Sequence, residues 1–305
     1  MASLLDMTDV PLKNILENSD YKSVLTLRKV CHSLRNFIDD SCFKTDLDYI
    51  RITIGPTGFS VICRSPNALT DGIGFAKGWT SKDLKIILKL VQKSKLSHLY
   101  VETNPDRIGV LNDFEDVLKN LTRPLQTEHL AMKGSEILKV LPYLDSNLLK
   151  RILINPEYYQ TNNQNLVGIE KMMELEQFKN AMELHIGYRF LVRADFRKFL
   201  HFQRVHVKFY DTSLEELVAL KEAFVTSTHM VLFEFKNRGL DGNQLEQVFG
   251  TPFHGPHYHL GRLQWYFGIR NCKEHVLRIE SISGFALKFL KLEVERIPDN
   301  AVVQH

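Results

Sequence analysis

Cysteine is scarce. Cys31, Cys42, Cys63 and Cys272 are the four in 305 residues, and no two of them form a C-x-x-C pair. That spacing offers neither a disulfide framework nor the paired thiolates of a zinc finger. No run approaches the roughly eighteen consecutive apolar residues of a membrane span, so a membrane partner is not expected. The opening MASLLDMTDVPLK lacks the charged start and long apolar stretch of a secretory signal. These absences lead us to expect reduced thiols and a cytoplasmic or nuclear location. An excess of one charge is missing too: 39 basic residues face 36 acidic ones, for a formal net charge of +3. The electrostatic footprint of a nucleic-acid binder is therefore lacking, and nucleic acid is not an expected partner. Hydrophobic residues make up 44% and charged residues 25%, a balance that excludes a wholly disordered chain.

Motifs for catalysis or cofactor binding are also wanting. No Ser-His-Asp order, catalytic carboxylate pair or P-loop stands out. Gly72-x-Gly74-x-x-x-Gly78 has the wrong final spacing for a dinucleotide fingerprint and reads as a flexible turn. His254, His257 and His259 fall in a Pro- and Gly-rich loop without a carboxylate or cysteine to complete a metal site. Lys82, Lys85, Lys89 and Lys93 share one face of a helical stretch and read as its solvated side. Trp265-Tyr266-Phe267 reads as strand packing rather than a base-stacking platform. Catalytic residues, metal ligands and cofactors are accordingly expected to be none, and the chain is expected not to be an enzyme.

What is present begins at the N-terminus. In residues 10–18, Leu12, Ile15 and Leu16 share one helical face. Asp9 is placed to cap that helix, and Pro11 stands where a missing N–H costs little. Asn18-Ser19 breaks the pattern and Asp20 can cap a new start. From Tyr21, apolar residues at 24, 25, 27, 30, 31, 34, 37 and 38 follow helical steps. A stripe that broad exceeds what helices of about ten residues bury among themselves, so part of it is expected to meet another surface.

The stretch DVPLKNILENSDYKSVLTLRKVCHSLRNFIDD resembles the F-box, in particular the nematode-type F-box, through its order and spacing and through Leu27-Arg28-Lys29-Val30-Cys31. The resemblance implies docking to a Skp-family adaptor and, through it, to a cullin scaffold. It implies an adaptor surface made by Met7, Leu12, Ile15, Leu16, Val24, Leu25, Leu27, Val30 and Cys31, some of which also serve an internal three-helix core. One departure is Met7-Thr8, where F-boxes usually open with Leu-Pro, and it implies weaker docking.

Residues 50–64 alternate on either side of Gly55-Pro56-Thr57-Gly58 and read as a β-hairpin, with a Gly-rich connection continuing to residue 79. Beyond it, strand-like anchors recur as Leu99-x-Val101, Leu130-x-Met132, Ile152-x-Ile154, Leu184-x-Ile186, Val205-x-Val207-x-Phe209 and Val231-x-Phe233-x-Phe235. Amphipathic stretches of helical period lie between or after them at 112–121, 135–144, 166–178, 193–202, 213–227 and 241–250. Cap signals mark Asn112 with Glu115, Ser213 with Glu216, and Asp241 with Gln244. The strand-plus-helix rhythm predicts an irregular, leucine-rich-repeat-like β/α array whose stacked units share one core and expose one strand-lined face. Alternation at Trp265-x-Phe267-x-Ile269, Leu287-x-Phe289 and Leu292-x-Val294 is expected to close it. The expected class is thus α+β or α/β, with a three-helix F-box at 1–45, the hairpin and connection at 46–79, and the array at 80–305.

The alternating pattern, the helix TSKDLKIILKL and their position after the F-box are similar to the FTH domain of the nematode-type family, which implies that this part holds a protein partner. Side chains alternate along a strand, so Tyr100, Arg151, Glu183, His185, His206, Lys208 and Glu234 are the candidate partner contacts. The leading expectation is a substrate receptor of a cullin-based ubiquitin ligase with an unknown protein substrate. Beside it stand an adaptor-bound regulatory scaffold without degradation, an RNA-associated protein and a metal-dependent enzyme.

Overall fold

The computed structural model describes residues 7–41, 43–56, 58–66, 73–92, 94–103, 108–156, 164–165, 168–236, 240–253, 262–282 and 286–304, with backbone alone for 73–79, 108 and 164–165. The chain divides into two units, Met1–Lys150 and Arg151–His305. Among the described residues no helix is long and apolar enough to cross a membrane.

The first unit opens with α1 (Asp9–Glu17), α2 (Tyr21–Val30) and α3 (His32–Asp40). Asp20 caps α2 as its sequence position suggested, accepting from the Ser23 N–H at 2.8 Å. Asp9 does not cap α1: Thr8 is the extended residue at that end, and Asp9 already lies in the first turn. The long stripe from Tyr21 is broken at Cys31, whose extended backbone separates α2 from α3.

Strands β1 (Tyr49–Gly55) and β2 (Gly58–Arg64) form the expected hairpin, with Gly58 at φ 136°, a conformation side-chain-bearing residues avoid. The hairpin is no mere connection. β3 (Ile73–Trp79) pairs antiparallel with β2, so Gly74 and Gly78 lie in a strand and not in the flexible turn expected of them. After α4 (Ser81–Val91), β4 (Lys95–Glu102) pairs parallel with β1. Past α5 (Ile108–Lys119), β5 (Gln126–Lys133) pairs parallel with β4, giving the order β5-β4-β1-β2-β3. Helix α4 starts on a capping box of Thr80 and Asp83. It buries Leu84, Ile87, Leu88, Leu90 and Val91, each worth about 1.5–3 kcal/mol over exposure. Lys82 and Lys85 are exposed and Lys89 is half-buried on its other side, while Lys93 lies outside the described residues.

The second unit contains β6 (Arg151–Asn155), β7 (Gln164–Asn165), α6 (Ile169–Glu174), α7 (Glu176–Asn180), β8 (Glu183–Ile186), β9 (Phe190–Leu191) and β10 (Arg204–Lys208). It continues with α8 (Leu214–Thr226), β11 (Leu232–Lys236), α9 (Gly242–Phe249), β12 (Arg262–Ile269), β13 (Cys272–Ile282), β14 (Ala286–Glu293) and β15 (Val303–Gln304). Strands β6, β8, β10 and β11 are parallel in that order. The end of the chain differs from a further strand-and-helix step. β12, β13 and β14 form an antiparallel meander, and β14 pairs antiparallel with β11. Asn271 at φ 57° makes the tight turn between β12 and β13.

Every expected strand anchor lies in or directly beside a strand, but half of the expected helical stretches fall short. Wide spacing between anchors leaves room for a helix, as at α5 and α8. Narrow spacing does not. Residues 135–144 form two 3-10 turns, Ile137–Lys139 and Leu141–Tyr143, and 193–202 reduce to Phe196–Phe199. In 166–178 the helix is interrupted at Leu175, whose extended backbone parts α6 from α7. Phenylalanine fills the space that longer helices would take. Phe199 meets Phe209 at 5.5 Å between ring centres, Phe178 meets Phe202 at 5.0 Å, and Phe235 stacks on Phe289 at 6.3 Å. Such offset and edge contacts add about 0.5–1.5 kcal/mol each beyond burial. Capping boxes at Ser213/Glu216 and Asp241/Gln244 open α8 and α9 as expected. Asn112 instead lies inside α5, which begins four residues earlier, and its side chain accepts from Lys139.

Leu90 of α4 belongs to the same buried cluster as Leu16, Val24, Ile38 and Phe43. The N-terminal helices therefore complete their core with a residue from beyond position 45. Leu90→Ala is expected to cost about 2–5 kcal/mol and to speed amide exchange in α2 and α3. Hydrogen exchange that leaves those helices as protected as in the wild type would count against this coupling.

Candidate functional site

Two surfaces carry the residues singled out by sequence. The first is the N-terminal helical module. Arg28 of α2 donates to Asp39 of α3 through Nε at 2.8 Å and Nη2 at 2.9 Å, a forked pair that fixes the two helices. Cys31 accepts from the Leu34 N–H through its sulfur at 3.5 Å. Tyr21 ties the module to the hairpin: its hydroxyl donates to the Cys63 carbonyl at 2.9 Å, and its N–H donates to Asp46 at 2.9 Å. Burial pushes the Cys63 thiol up to about 12, so it remains a neutral core group.

Leu12, Leu16 and Val24 are buried in this module, on the side of the expectation that gave some of the nine residues to an internal core. They fall on the inner side of α1 and α2, where only a hydrophobic interior satisfies them. Ile15, Leu25, Leu27 and Cys31 are half-buried, and Leu25 and Leu27 pack against the cluster around Leu16. Met7 and Val30 point outward at 44% and 65% exposure, together with Val10 at 69%. Val10 escaped the sequence reading because it lies off the Leu12–Ile15–Leu16 stripe. That displacement was itself the available signal, an apolar side chain on the polar side of a short helix.

The second lies, in each unit taken by itself, on the sheet side that carries the residues between the core anchors. In the first unit, Arg51, Tyr100 and Ala131 are in register, as are Thr53, Glu102 and Lys133. Arg51 lies over the Tyr100 ring at 4.7 Å. Glu102 accepts from Arg51 and from Lys133, each at 2.6 Å. Burial pushes the Glu102 carboxyl up, but the hydrogen bonds from Lys133 and Arg51 outweigh it and hold the group below the usual glutamate range.

In the second unit, the six remaining candidates come together. The register aligns Arg151, Glu183 and Arg204 in one row, His185, His206, Glu234 and Lys288 in the next, and Lys208 with Lys236 in a third. Glu183 bridges Arg151 and Arg204. The His185 and His206 rings lie 5.3 Å apart, and His206 Nδ1 is 3.7 Å from Glu234. Tyr188 donates its hydroxyl to Glu234 at 2.5 Å, burial first and this bond second raise the tyrosine, and Lys236 lies over the Tyr188 ring at 4.1 Å. Burial foremost keeps both histidines below the usual imidazole value, so they are neutral at pH 7. Arg151, Leu153, Glu183, His185, Arg204 and His206 line a depression of about 520 Å³. Its lining offers charged and hydrogen-bonding groups.

Arg204, Tyr188, Lys236 and Lys288 were missed. Arg204 and Lys236 share strand parity with named candidates and needed only that rule carried one step past the apolar anchors. Tyr188 needed the fold. Trp265, Tyr266 and Phe267 are buried, and Trp265 donates Nε1–H to the Gly250 carbonyl at 2.7 Å. The His254, His257 and His259 stretch lies outside the described residues. Among the described residues no three His, Cys, Asp or Glu side chains are grouped to hold a metal ion.

A family model described as F-box domain matches residues 4–46, and one described as FTH domain matches residues 109–253. No curated protein and no solved structure matches the chain.

Glu102→Gln is expected to cost about 1–2 kcal/mol at pH 7, because Lys133 loses a charged acceptor in a half-closed setting. A carboxyl held low in the fold contributes stability above its unfolded value and loses it as pH falls through the folded one. The gap between variant and wild type should therefore close below pH 4.5, the unshifted glutamate value. Denaturant titrations at pH 7 and pH 3 check this, and an equal gap at both would refute it.

Proposed function

Because the chain is an F-box protein whose F-box is followed by an FTH domain, we propose that it serves as the substrate-recruiting subunit of a Skp–cullin–F-box ubiquitin ligase. The observation that carries this reading is the F-box at residues 4–46 with the apolar side chains of Met7, Val10 and Val30 turned outward. Exposed valines on two helices of so small a module are apolar surface that an adaptor docked on the F-box would cover. Ile15, Leu27 and Cys31, half-buried, are the further residues assigned to the contact. The parallel strands of the FTH domain and their short connectors read as an irregular leucine-rich-repeat-like array that holds the target by its strand face. Its role is proximity: target lysines are held at high effective concentration near the ubiquitin-charged enzyme, and the chain supplies no acid, base or nucleophile. Such work belongs to the cytoplasm or nucleus.

The core and the docking surface separate experimentally. Val10→Asp with Val30→Asp should leave the melting temperature nearly unchanged, since both side chains are exposed, yet weaken adaptor binding by about 2 kcal/mol or more. Leu16→Asp should lose the fold and the adaptor together, through an unpaired charge in the core. Full co-purification of the adaptor by a folded Val10/Val30 variant would sink the proposal.

Thr8 at the helix start has φ −69°, already the proline value. Thr8→Pro should therefore fit without strain and tighten adaptor binding by about 1 kcal/mol or less, partly by narrowing the unfolded ensemble. Calorimetry that finds equal or weaker binding would show that the Met7-Thr8 opening carries no penalty.

A further inference from the structure

We infer that the outward face of β6, β8, β10, β11 and β14 is a docking surface for an acidic, extended segment of a protein partner. This deepens the substrate-receptor reading and rests on it for the partner's biological role, but the chemistry comes from the face itself. Arg151, Arg204, Lys208, Lys236 and Lys288 stand there against Glu183 and Glu234, a net of three positive charges. The entire chain has a formal net charge of +3. One sheet face therefore concentrates a charge that composition spreads invisibly over 305 residues.

The arrangement of the carboxylates strengthens the case. Glu183 is shared by Arg151 and Arg204, so one guanidinium charge in that trio is uncompensated. Glu234 is occupied by the Tyr188 hydroxyl, with His206 and Lys288 at 3.7 and 4.0 Å. Both acids thus hold the cations in place, as rigid spacers that orient donors toward a ligand. The depression of about 520 Å³ lies between the two arginines and is floored in part by Leu153 and the half-buried, neutral histidines. A carboxylate entering it meets guanidinium donors on either side. Leu290, half-buried and two strands along the row from Arg204, offers an apolar step next to the charged row. A partner with acidic residues spaced by an apolar one fits both features.

Carboxylates favour this face over a phosphodiester backbone. Two fixed glutamates interrupt the cations, and a continuous string of phosphates would have to pass them. The aromatic residue beside the strip, Tyr188, has its ring under Lys236 and its hydroxyl on Glu234, so it is not presented for base stacking.

The test uses the full chain bound to its adaptor. A fluorescein-labelled twelve-residue peptide alternating Glu and Leu is titrated by anisotropy at low ionic strength, beside a Gln/Leu peptide of equal length and a single-stranded oligonucleotide. The acidic peptide should bind about tenfold or more tightly than the neutral one, with affinity falling as salt rises. Arg151→Glu, Arg204→Glu and Lys236→Glu together should abolish that preference. The milder set R151Q, R204Q and K236Q, which leaves no new charge beside Glu183, should reduce it by about tenfold with the melting temperature kept. Equal binding of both peptides, or an unaffected preference in the glutamine variant, overturns the inference. Tighter binding of the oligonucleotide than of the acidic peptide overturns it as well and assigns the face to nucleic acid. Loss of adaptor binding by the wild type, with peptide selectivity intact in the chain alone, would sink the ligase reading and leave the acidic specificity standing.

Discussion

Side chains along a β-strand alternate between two faces, and in both units this single constraint separates the apolar core from the charged outward face. Ile152, Ile154, Leu184, Ile186, Val205, Val207, Phe233 and Phe235 are buried. Each is followed or preceded by a residue that the backbone geometry sends the other way. The parallel register then turns isolated outward residues into rows. Glu183 meets Arg151 and Arg204 only because three strands are aligned to the residue. A slip of one position in β6 or β10 would expose the aliphatic row and bury arginine without a partner, at a cost of several kcal/mol.

The same constraint explains the economy of the connectors. What a connector must supply is an apolar cover for one face, not a helix as such. Where spacing allows, α5 and α8 do this with long amphipathic turns. Where spacing is short, the aromatic rings of Phe196, Phe199 and Phe202 do it from one turn of 3-10 helix and its flank. Aromatic packing tolerates this irregularity because rings reach farther from the backbone than aliphatic side chains and interlock edge to face.

At the N-terminus the governing interaction is the burial of Leu16, Val24 and Ile38 against Phe43 and Leu90. Three helices of about ten residues cannot close a core alone, and α4 supplies the missing wall. The consequence is mechanical. An adaptor that grips the F-box grips a module tied to the hairpin through Tyr21, Cys63 and Asp46 as well as through the shared core. The F-box and the strands that follow it within the first unit are one piece of structure, not beads joined by a linker.

Periodicity and spacing by themselves determined the first F-box helix and the helical stripe from Tyr21 (though not its break at Cys31), the strand anchors from Leu99 to Phe235 and six of the outward residues that gather on the second unit's sheet. These depend on local rules: helical steps, strand alternation and cap residues such as Asp20, Ser213 and Asp241. Tertiary structure alone decided which of the nine F-box residues face inward, because Leu12, Leu16 and Val24 look the same as Met7 and Val30 until their neighbours are placed. It also decided how the antiparallel meander of β12, β13 and β14 joins the parallel strands, since β14 pairs with β11, from which α9, β12 and β13 separate it in sequence. Above all it decided the electrostatics. A composition of 39 basic and 36 acidic residues is nearly neutral, yet charge acts over distances set by strand register and the Debye length rather than by chain averages. Only folding brings Arg151, Arg204, Lys236 and Lys288 onto one face.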